Sequence, residues 1–239
     1  MTRDLVYGRR PVHEALRGPR EVLELWASER AVRSEEWLRE VERPRVQTRL
    51  ERDLSEAAGT RDHQGVVAWC EPFRYADAYE LAREEAALLV CLDQVSDPHN
   101  LGAVARSAEG AGATAVVLPA HGSARVTAAV CRASAGAVEH VPIAVVPNLA
   151  RFLADVKGND LWAYAADSEG TVPMWETDLS GGVALVLGAE GKGVRPLVRR
   201  TCDAAVSIPL AGKVGSLNVS VAAALLLYEA RRQRSRRDG

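Results

Sequence analysis

Between Leu88 and Ile208 the chain carries six short, almost unbroken apolar runs: Leu88–Leu92, Ala115–Leu118, Val141–Val145, Leu161–Ala165, Val183–Leu187 and Ala205–Ile208. A strand with one face in water alternates apolar and polar residues, so runs without alternation predict strands covered on both faces. Stretches at helical spacing accompany most of them, at Leu101–Gly110, Ser123–Ala135, Leu149–Val156, Val194–Cys202 and Val219–Arg234. Strands and helices that alternate in this way join as parallel βαβ units, with helices on both faces of one sheet. The expected fold class is therefore α/β with a mainly parallel sheet.

The first seventy or so residues have a finer grain. They predict a helix near Arg10–Leu16, a strand at Val22–Ala27, and a helix over Ser34–Val41 with Ser34 as N-cap and Trp37, Leu38 and Val41 at helical spacing. A strand at Arg45–Leu50, a short helix at Leu54–Ala58 and a strand at Gly65–Cys70 complete a small α/β module. Glu71-Pro-Phe-Arg-Tyr75 breaks it, and Ala76–Ala86 reads as a polar, partly helical connector. The expected division is a first domain over residues 1–71, a linker over 72–86 and a second domain over 87–239.

With 239 residues, 47% of them hydrophobic, the chain can bury real cores without staples. Cys70, Cys91, Cys131 and Cys202 are scattered without a C-x-x-C pair, which argues against a disulfide framework or a zinc site and for a reduced, cytoplasmic protein. No apolar run approaches the roughly 20 residues that span a bilayer, and Met1–Tyr7 lacks the apolar core of a signal peptide, so neither membrane insertion nor export is expected. The formal net charge of −2 announces no nucleic-acid partner globally. Locally, lysine occurs only at positions 157, 192 and 213, and arginines cluster at Arg9-Arg10 and over Arg231–Arg237. Such clusters bind phosphates, although the C-terminal one equally suits a solvated helix end.

Several familiar sites fail on inspection. Gly110-Ala-Gly112-Ala-Thr-Ala115 matches a dinucleotide fingerprint but follows a helix and precedes a strand, the reverse of the required order; it reads as a helix C-cap and turn. Around Gly191-Lys192, Val186 and Gly193 stand where a phosphate-binding loop needs Gly and Ser or Thr. The five histidines show no metal-ligand spacing and no Ser sits in a G-x-S-x-G elbow, so metalloenzyme and hydrolase readings lose support. What remains lies at strand ends, where an α/β protein binds small ligands. These are the segment Asp93–Arg106 and the Gly-rich loops Leu187–Gly193 and Ile208–Val221. On the first helix Leu101, Val104, Ala105 and Ala108 form the core stripe, and Arg106 stands about 140° from Leu101. Taken singly, each polar residue has an ordinary explanation: Asn100 as an N-cap, Arg106 as a surface arginine, Glu190 as a loop residue, Ser216 or Asn218 as a cap of the last helix.

Taken in order, Asp93-x-x-x-Asp97-Pro-x-Asn100-x-Gly-x-x-x-Arg106, Leu187-Gly-x-Glu190-Gly-x-Gly193 and Ile208-Pro-Leu-x-Gly-x-x-x-Ser216-Leu-Asn218-Val-Ser-Val221 resemble the three motifs of SpoU/TrmH-type RNA ribose 2′-O-methyltransferases of the SPOUT superfamily. Tyr7-Gly-Arg-x-Pro-Val-x-Glu-Ala-Leu16 and His63-Gln-Gly-Val-Val-Ala68 resemble the L30e-like RNA-binding domain that precedes many of them. The two-domain form is most similar to the bacterial 23S rRNA guanosine-2′-O-methyltransferases. The resemblance implies a deep trefoil knot in the second domain and S-adenosylmethionine held against the main chain of Gly188, Ile208 and Leu217. It implies Arg106 as the central catalytic residue, either as general base or as a cation that stabilises the developing alkoxide. Asn100, Glu190, Ser216 and Asn218 would orient Arg106, ribose and cofactor, and no metal is implied. It implies a homodimer in which Arg106 reaches towards the partner's pocket; the apolar run Val221–Tyr228 fits a helix buried against its own sheet and a partner, or one buried within a single fold. tRNA guanosine methylation, rRNA adenosine methylation of the antibiotic-resistance kind and a catalytically silent RNA-binding scaffold are the alternatives. The N-terminal module favours rRNA, and the presence of Asn100, Arg106, Glu190 and Asn218 speaks against a silent scaffold.

Overall fold

The computed structural model describes residues 2–158, 160–189 and 191–237. In chain order the elements are β1 (Asp4–Tyr7), α1 (Arg9–Arg17), β2 (Val22–Ala27), α2 (Glu29–Ser34), α3 (Trp37–Glu40), β3 (Val46–Thr48), α4 (Glu51–Ala58) and β4 (Val66–Cys70). There follow α5 (Ala78–Leu81), β5 (Leu88–Asp93), α6 (Pro98–Ala111), β6 (Ala115–Pro119), α7 (Ala128–Ala133), β7 (Ile143–Val146), α8 (Leu149–Val156) and β8 (Leu161–Ala166). The last are β9 (Val172–Pro173), β10 (Gly182–Gly188), α9 (Pro196–Thr201), β11 (Ala204–Ser207) and α10 (Val219–Arg237). They form two units, one of Met1–Arg74 with Arg125–His140, the other of Tyr75–Ala124 with Val141–Gly239.

In the first unit a four-stranded sheet has the order β1-β4-β2-β3. β4 runs antiparallel to β1 and β2, and β3 runs parallel to β2. The register sets Val6, Ala68, Leu25 and Val46 in one cross-strand row, and the first three are fully buried. α1 and α4 pack on β1 and β4, and their buried Val12, Ala15 and Leu54 supply the other half of this core.

The segment 125–140 completes the unit, with α7 packed on β1. It is held by a buried ion pair: Arg20 donates from Nε to Glu139 Oε2 at 2.9 Å and from Nη2 to Oε1 at 2.5 Å. Arg20 Nη1 also reaches the Glu71 carbonyl at 3.3 Å. Burial by itself would lower the Arg20 pKa, but the hydrogen bond and charge of Glu139 hold it above its ordinary value. Two expectations change here. The helix expected over Ser123–Ala135 shrinks to α7, ends at Ala133 just before the positive φ of Ala135 (53°) and Gly136 (91°), and serves the small sheet rather than the large one. Ser34 ends α2, its Oγ donating to the Ala31 carbonyl, while Ser28 is the N-cap that accepts from Ala31 N. The helix breaks between α2 and α3, where the Glu35 carboxylate accepts from Arg9 and from the Trp37 indole.

The second unit is built on a seven-stranded sheet of order β7-β6-β5-β10-β8-β11-β9, all of whose paired strands run parallel. Leu89, Cys91, Ala184 and Val186 face Phe152, Leu153 and Val198 of α8 and α9. The alternate residues Leu88, Val90, Leu92, Val183, Leu185 and Leu187 are equally buried and point to the other face, where α10 packs on β10 and on α6. Continuous apolar runs thus mark strands covered twice, as expected. β8 departs from this, because its Trp162 is 59% exposed. β1 and the two-residue β9 were not legible in the pattern; β1 mixes Asp4 with apolar residues, and β9 is too short to have a period. The arginine-rich end of α10 is largely committed internally: Arg234 donates to the Gly181 carbonyl at 2.6 Å, Arg231 to the Ala111 carbonyl at 3.4 Å, and Arg232 pairs with Glu229.

The Arg20–Glu139 pair yields a stability test. Removing one partner strands a buried charge, which costs about 3–5 kcal/mol. Glu139→Ala is expected to lose that much in urea denaturation, and an unchanged midpoint would show that the pair does not hold segment 125–140 in place.

Candidate functional site

The chain lays down β5, β6 and β7 outward in one direction, returns to place β8 on the other side, and inserts β10 between β5 and β8. Strand order therefore reverses at β10, and such a switch point leaves a crevice at the strand C-termini. A cavity of about 380 Å³ occupies it, lined by the segments that follow β8, β10 and β11 and by the entry to α10. Two close backbone approaches shape its wall. A Cβ on Gly188 would fall on the Gly193 carbonyl and the Val194 nitrogen. A Cβ on Gly170 would come within 2.8 Å of the Val206 carbonyl carbon, in β11. Between Gly188 and Val194 the chain makes a tight turn closed by Gly193 N donating to the Ala189 carbonyl at 2.8 Å. Gly191 and Gly193 adopt φ 75° and 65° in that turn, a region that favours glycine.

Gly188, Ile208, Ser216 and Leu217 all line this cavity, so four of the residues singled out in the sequence are gathered by the fold. Asn218 follows immediately. Its Oδ1 accepts from Ser220 N at 2.9 Å and from Ser220 Oγ at 2.6 Å, and its carbonyl accepts from Ala222 N, so it caps α10. Its Nδ2 also donates to Asn100 Oδ1 at 3.0 Å, which ties α10 to α6. One side chain of Asn218 thus both caps α10 and joins it to Asn100. Asn100 is not the N-cap of α6: Asp97 is, accepting from His99 N at 2.9 Å, with Pro98 in the first turn. Arg106 stands exposed on α6, away from the buried Leu101, Val104, Ala105 and Ala108, and it does not line the cavity. Glu190 lies outside the described residues.

Asp93, which opens the first motif, pairs with Arg195, which lies outside every motif. Asp93, fully buried, ends β5 beside Gly188 in register and accepts from Arg195 N at 2.8 Å, from Nε at 2.9 Å and from Nη2 at 2.7 Å. It fixes the exit of the 189–193 turn. The signal was present, since a carboxylate that closes a fully apolar run must find a partner. Asp167, on the cavity wall, is held below the usual carboxylate range by the Glu169 N–H and by Arg199, whose Nε lies 2.6 Å away. All four cysteines are free, and burial pushes Cys70, Cys131 and Cys202 up to about 12, so none of the three supplies a thiolate at neutral pH. Among the described residues no cluster of His, Cys, Asp and Glu is placed to hold a metal ion.

The SpoU rRNA methylase family model matches residues 87–228, and a model described as RNA 2′-O ribose methyltransferase substrate binding matches residues 5–76. The chain is 37% identical over 242 residues to the 23S rRNA (guanosine-2′-O-)-methyltransferase RlmB of Shewanella oneidensis, covering 97% of this chain and 98% of that one. Among solved structures, the SpoU methyltransferase AviRb from Streptomyces viridochromogenes in complex with AdoMet matches with a TM-score of 0.83 and 29% identity, covering 97% of this chain and 90% of that chain. The TrmH/SpoU tRNA modifying enzyme of A. aeolicus matches with a TM-score of 0.58 and 28% identity, covering 67% of this chain and 82% of that chain.

The Asp93–Arg195 pair generates a test independent of any ligand. Loss of a hydrogen-bonded charged partner costs about 1.5–3 kcal/mol. Asp93→Ala is expected to lower the urea midpoint accordingly and to speed cleavage after Lys192 by a lysine-specific protease; cleavage at the wild-type rate would show that the turn is held by other contacts.

Proposed function

The chain belongs to the SpoU methylase family, and from that premise we propose that it transfers a methyl group from S-adenosylmethionine to the ribose 2′-hydroxyl of a guanosine in 23S rRNA. The observation that carries this reading is the cavity at the strand ends, walled by backbone where Gly188 meets Gly193 and Val194. Its volume of about 380 Å³ suits a nucleoside-sized ligand. The Gly188 cradle admits no side chain, which leaves main-chain N–H and C=O groups to face an adenine, while Ile208 and Leu217 offer apolar atoms to its planes. When bound there, S-adenosylmethionine supplies an electrophilic methyl group on a sulfonium.

A ribose hydroxyl is a weak nucleophile at neutral pH, so this chain's own residues must bias the site electrostatically. Guanidinium groups stay charged in proteins, and we assign Arg106 the part of a cation that holds the neighbouring phosphate and favours the developing alkoxide. Asn100 and Asn218, bonded to each other, orient the polar side of the site, and Ser216 presents a hydroxyl at the cavity rim. We retain Glu190 in the site on the strength of the motif alone.

Arg106 stands outside the cavity formed by its own chain, which favours a homodimer in which it serves the partner's cavity. An exposed stripe supports that arrangement: Val221, Leu225 and Tyr228 are 47%, 41% and 52% exposed on α10, at the i, i+4 and i+7 positions of one helix face. Insertion of β10 between β5 and β8, with α10 returning to α6, suits the expected trefoil knot. Ribosomal RNA is favoured over tRNA because RlmB matches along 97% of this chain, the tRNA modifying enzyme along 67%. We infer a cytoplasmic site of action from the proposed rRNA substrate.

Labelled methyl transfer to 23S rRNA fragments and to tRNA, with mapping of the modified nucleotide, tests the reading. We expect a 2′-O-methylguanosine in 23S rRNA and its loss in Arg106→Ala, with cofactor affinity unchanged. Label on tRNA alone would overturn the substrate, and a matching collapse of cofactor binding in the variant would overturn the role of Arg106.

A further inference from the structure

We propose that the outward face of the four-stranded sheet in the first unit is a stacking platform for unpaired nucleotides of the RNA substrate, an inference that rests on the RNA reading above. The cross-strand register places Leu5, Trp69 and Glu24 in one row, and Tyr7, Val67, Trp26 and Gln47 two residues along each strand. The row between them, Val6, Ala68 and Leu25, is the one turned into the core. By the pleat, the first two rows share the opposite face, so Tyr7, Trp26 and Trp69 stand together on it, each partly exposed. The two indoles meet edge to face, with centroids 4.6 Å apart and planes at 69°.

Each indole carries a guanidinium. Arg3 lies 4.9 Å from the Trp69 ring centroid, and Arg49 lies 4.9 Å from that of Trp26. Glu24 sets this geometry by accepting from the Trp26 indole N–H at 2.7 Å and from Arg3 at 2.8 Å. Arg49 is different. Its hydrogen bond is to the neutral Gln47 Oε1 at 2.6 Å, and among the described residues no carboxylate pairs with it.

Shielding Val67, which is fully buried at the centre of this face, explains the rings but not the cations over them. Aromatic faces next to arginines are the chemistry that receives unpaired bases: the base stacks on the ring or the guanidinium plane, and the charge reaches the phosphate. A duplex keeps its base faces within the stack, so the fitting ligand is single-stranded. The face lies within residues 5–76, which the substrate-binding family model matches, apart from Arg3 just ahead of them.

The test uses the full-length protein and fluorescence anisotropy of a labelled oligoribonucleotide about 12 nucleotides long, a typical single-strand site size, offered alone and as a perfect duplex. We expect the single strand to be preferred and Trp69→Ala to weaken it by about tenfold or more, as loss of one stacked base does. Arg49→Gln, at an exposed position, is expected to weaken it as well and to reduce the salt slope by about 0.7, the share of one phosphate contact on a single strand. Equal affinity for strand and duplex, or wild-type affinity in Arg49→Gln, overturns the proposal, as does a change of oligomeric state in Arg49→Gln without a change in RNA affinity. Should Trp69→Ala fail to fold, Arg49→Gln decides alone. Failure of the enzymatic reading is separate: it shows as absence of methyl transfer to 23S rRNA by the wild-type chain.

Discussion

The second unit is organised by the contact between Gly188 and the backbone of Gly193 and Val194, where no Cβ fits. β10 ends at that glycine, in register with Asp93 at the end of β5, and the chain must turn back on itself within five residues. The turn succeeds because Gly191 and Gly193 accept positive φ, and because Asp93 anchors Arg195 as the chain leaves it. Ala189, Gly191, Lys192, Gly193 and Val194, which line that side of the cavity, flank this approach. A buried carboxylate and a missing side chain, one on each of two adjacent strands, do together what neither does alone.

The polar groups are arranged on the same plan, in which residues distant in sequence fix each other. Asn218 closes the first turn of α10 and at the same time holds Asn100 on α6, 118 residues away. Both amides are half-buried, and the bond between them links the two helices directly. In the first unit Arg20 and Glu139 join segments 119 residues apart by the same logic, with full charges in place of amides. Each unit therefore contains a polar lock between an early and a late segment, and each lock sits beside an apolar core that could not by itself specify the register of the late segment.

Much of this was legible in sequence. The unbroken apolar runs at 88–92 and 183–187 became β5 and β10, and Leu149–Val156 became α8 with the same bounds, because burial on both faces and helical spacing leave direct marks. The order of residues in three motifs brought Gly188, Ile208, Ser216 and Leu217 to one cavity and Asn100 to Asn218. Elsewhere the local pattern was silent or misleading. The apolar spacing of 123–135 is real, yet the unit it serves is decided by Glu139 finding Arg20, a long-range pairing that no periodicity encodes. Ser34 carries a capping side chain, but Glu35 is recruited by Arg9 and the helix ends there instead. Arg195 lay outside every motif, and only the burial of Asp93 reveals its part.

The central claim is that main-chain groups around the Gly188 contact hold S-adenosylmethionine. Calorimetric titration of Gly188→Ala with S-adenosylmethionine, on protein shown to unfold cooperatively, addresses it most directly. A methyl group forced between Gly188 and Gly193 must displace the turn, and affinity is expected to fall about tenfold or more, equivalent to about 1.4 kcal/mol. Wild-type affinity in a folded Gly188→Ala protein would contradict the claim, because it would place the cofactor elsewhere than in the crevice this glycine shapes.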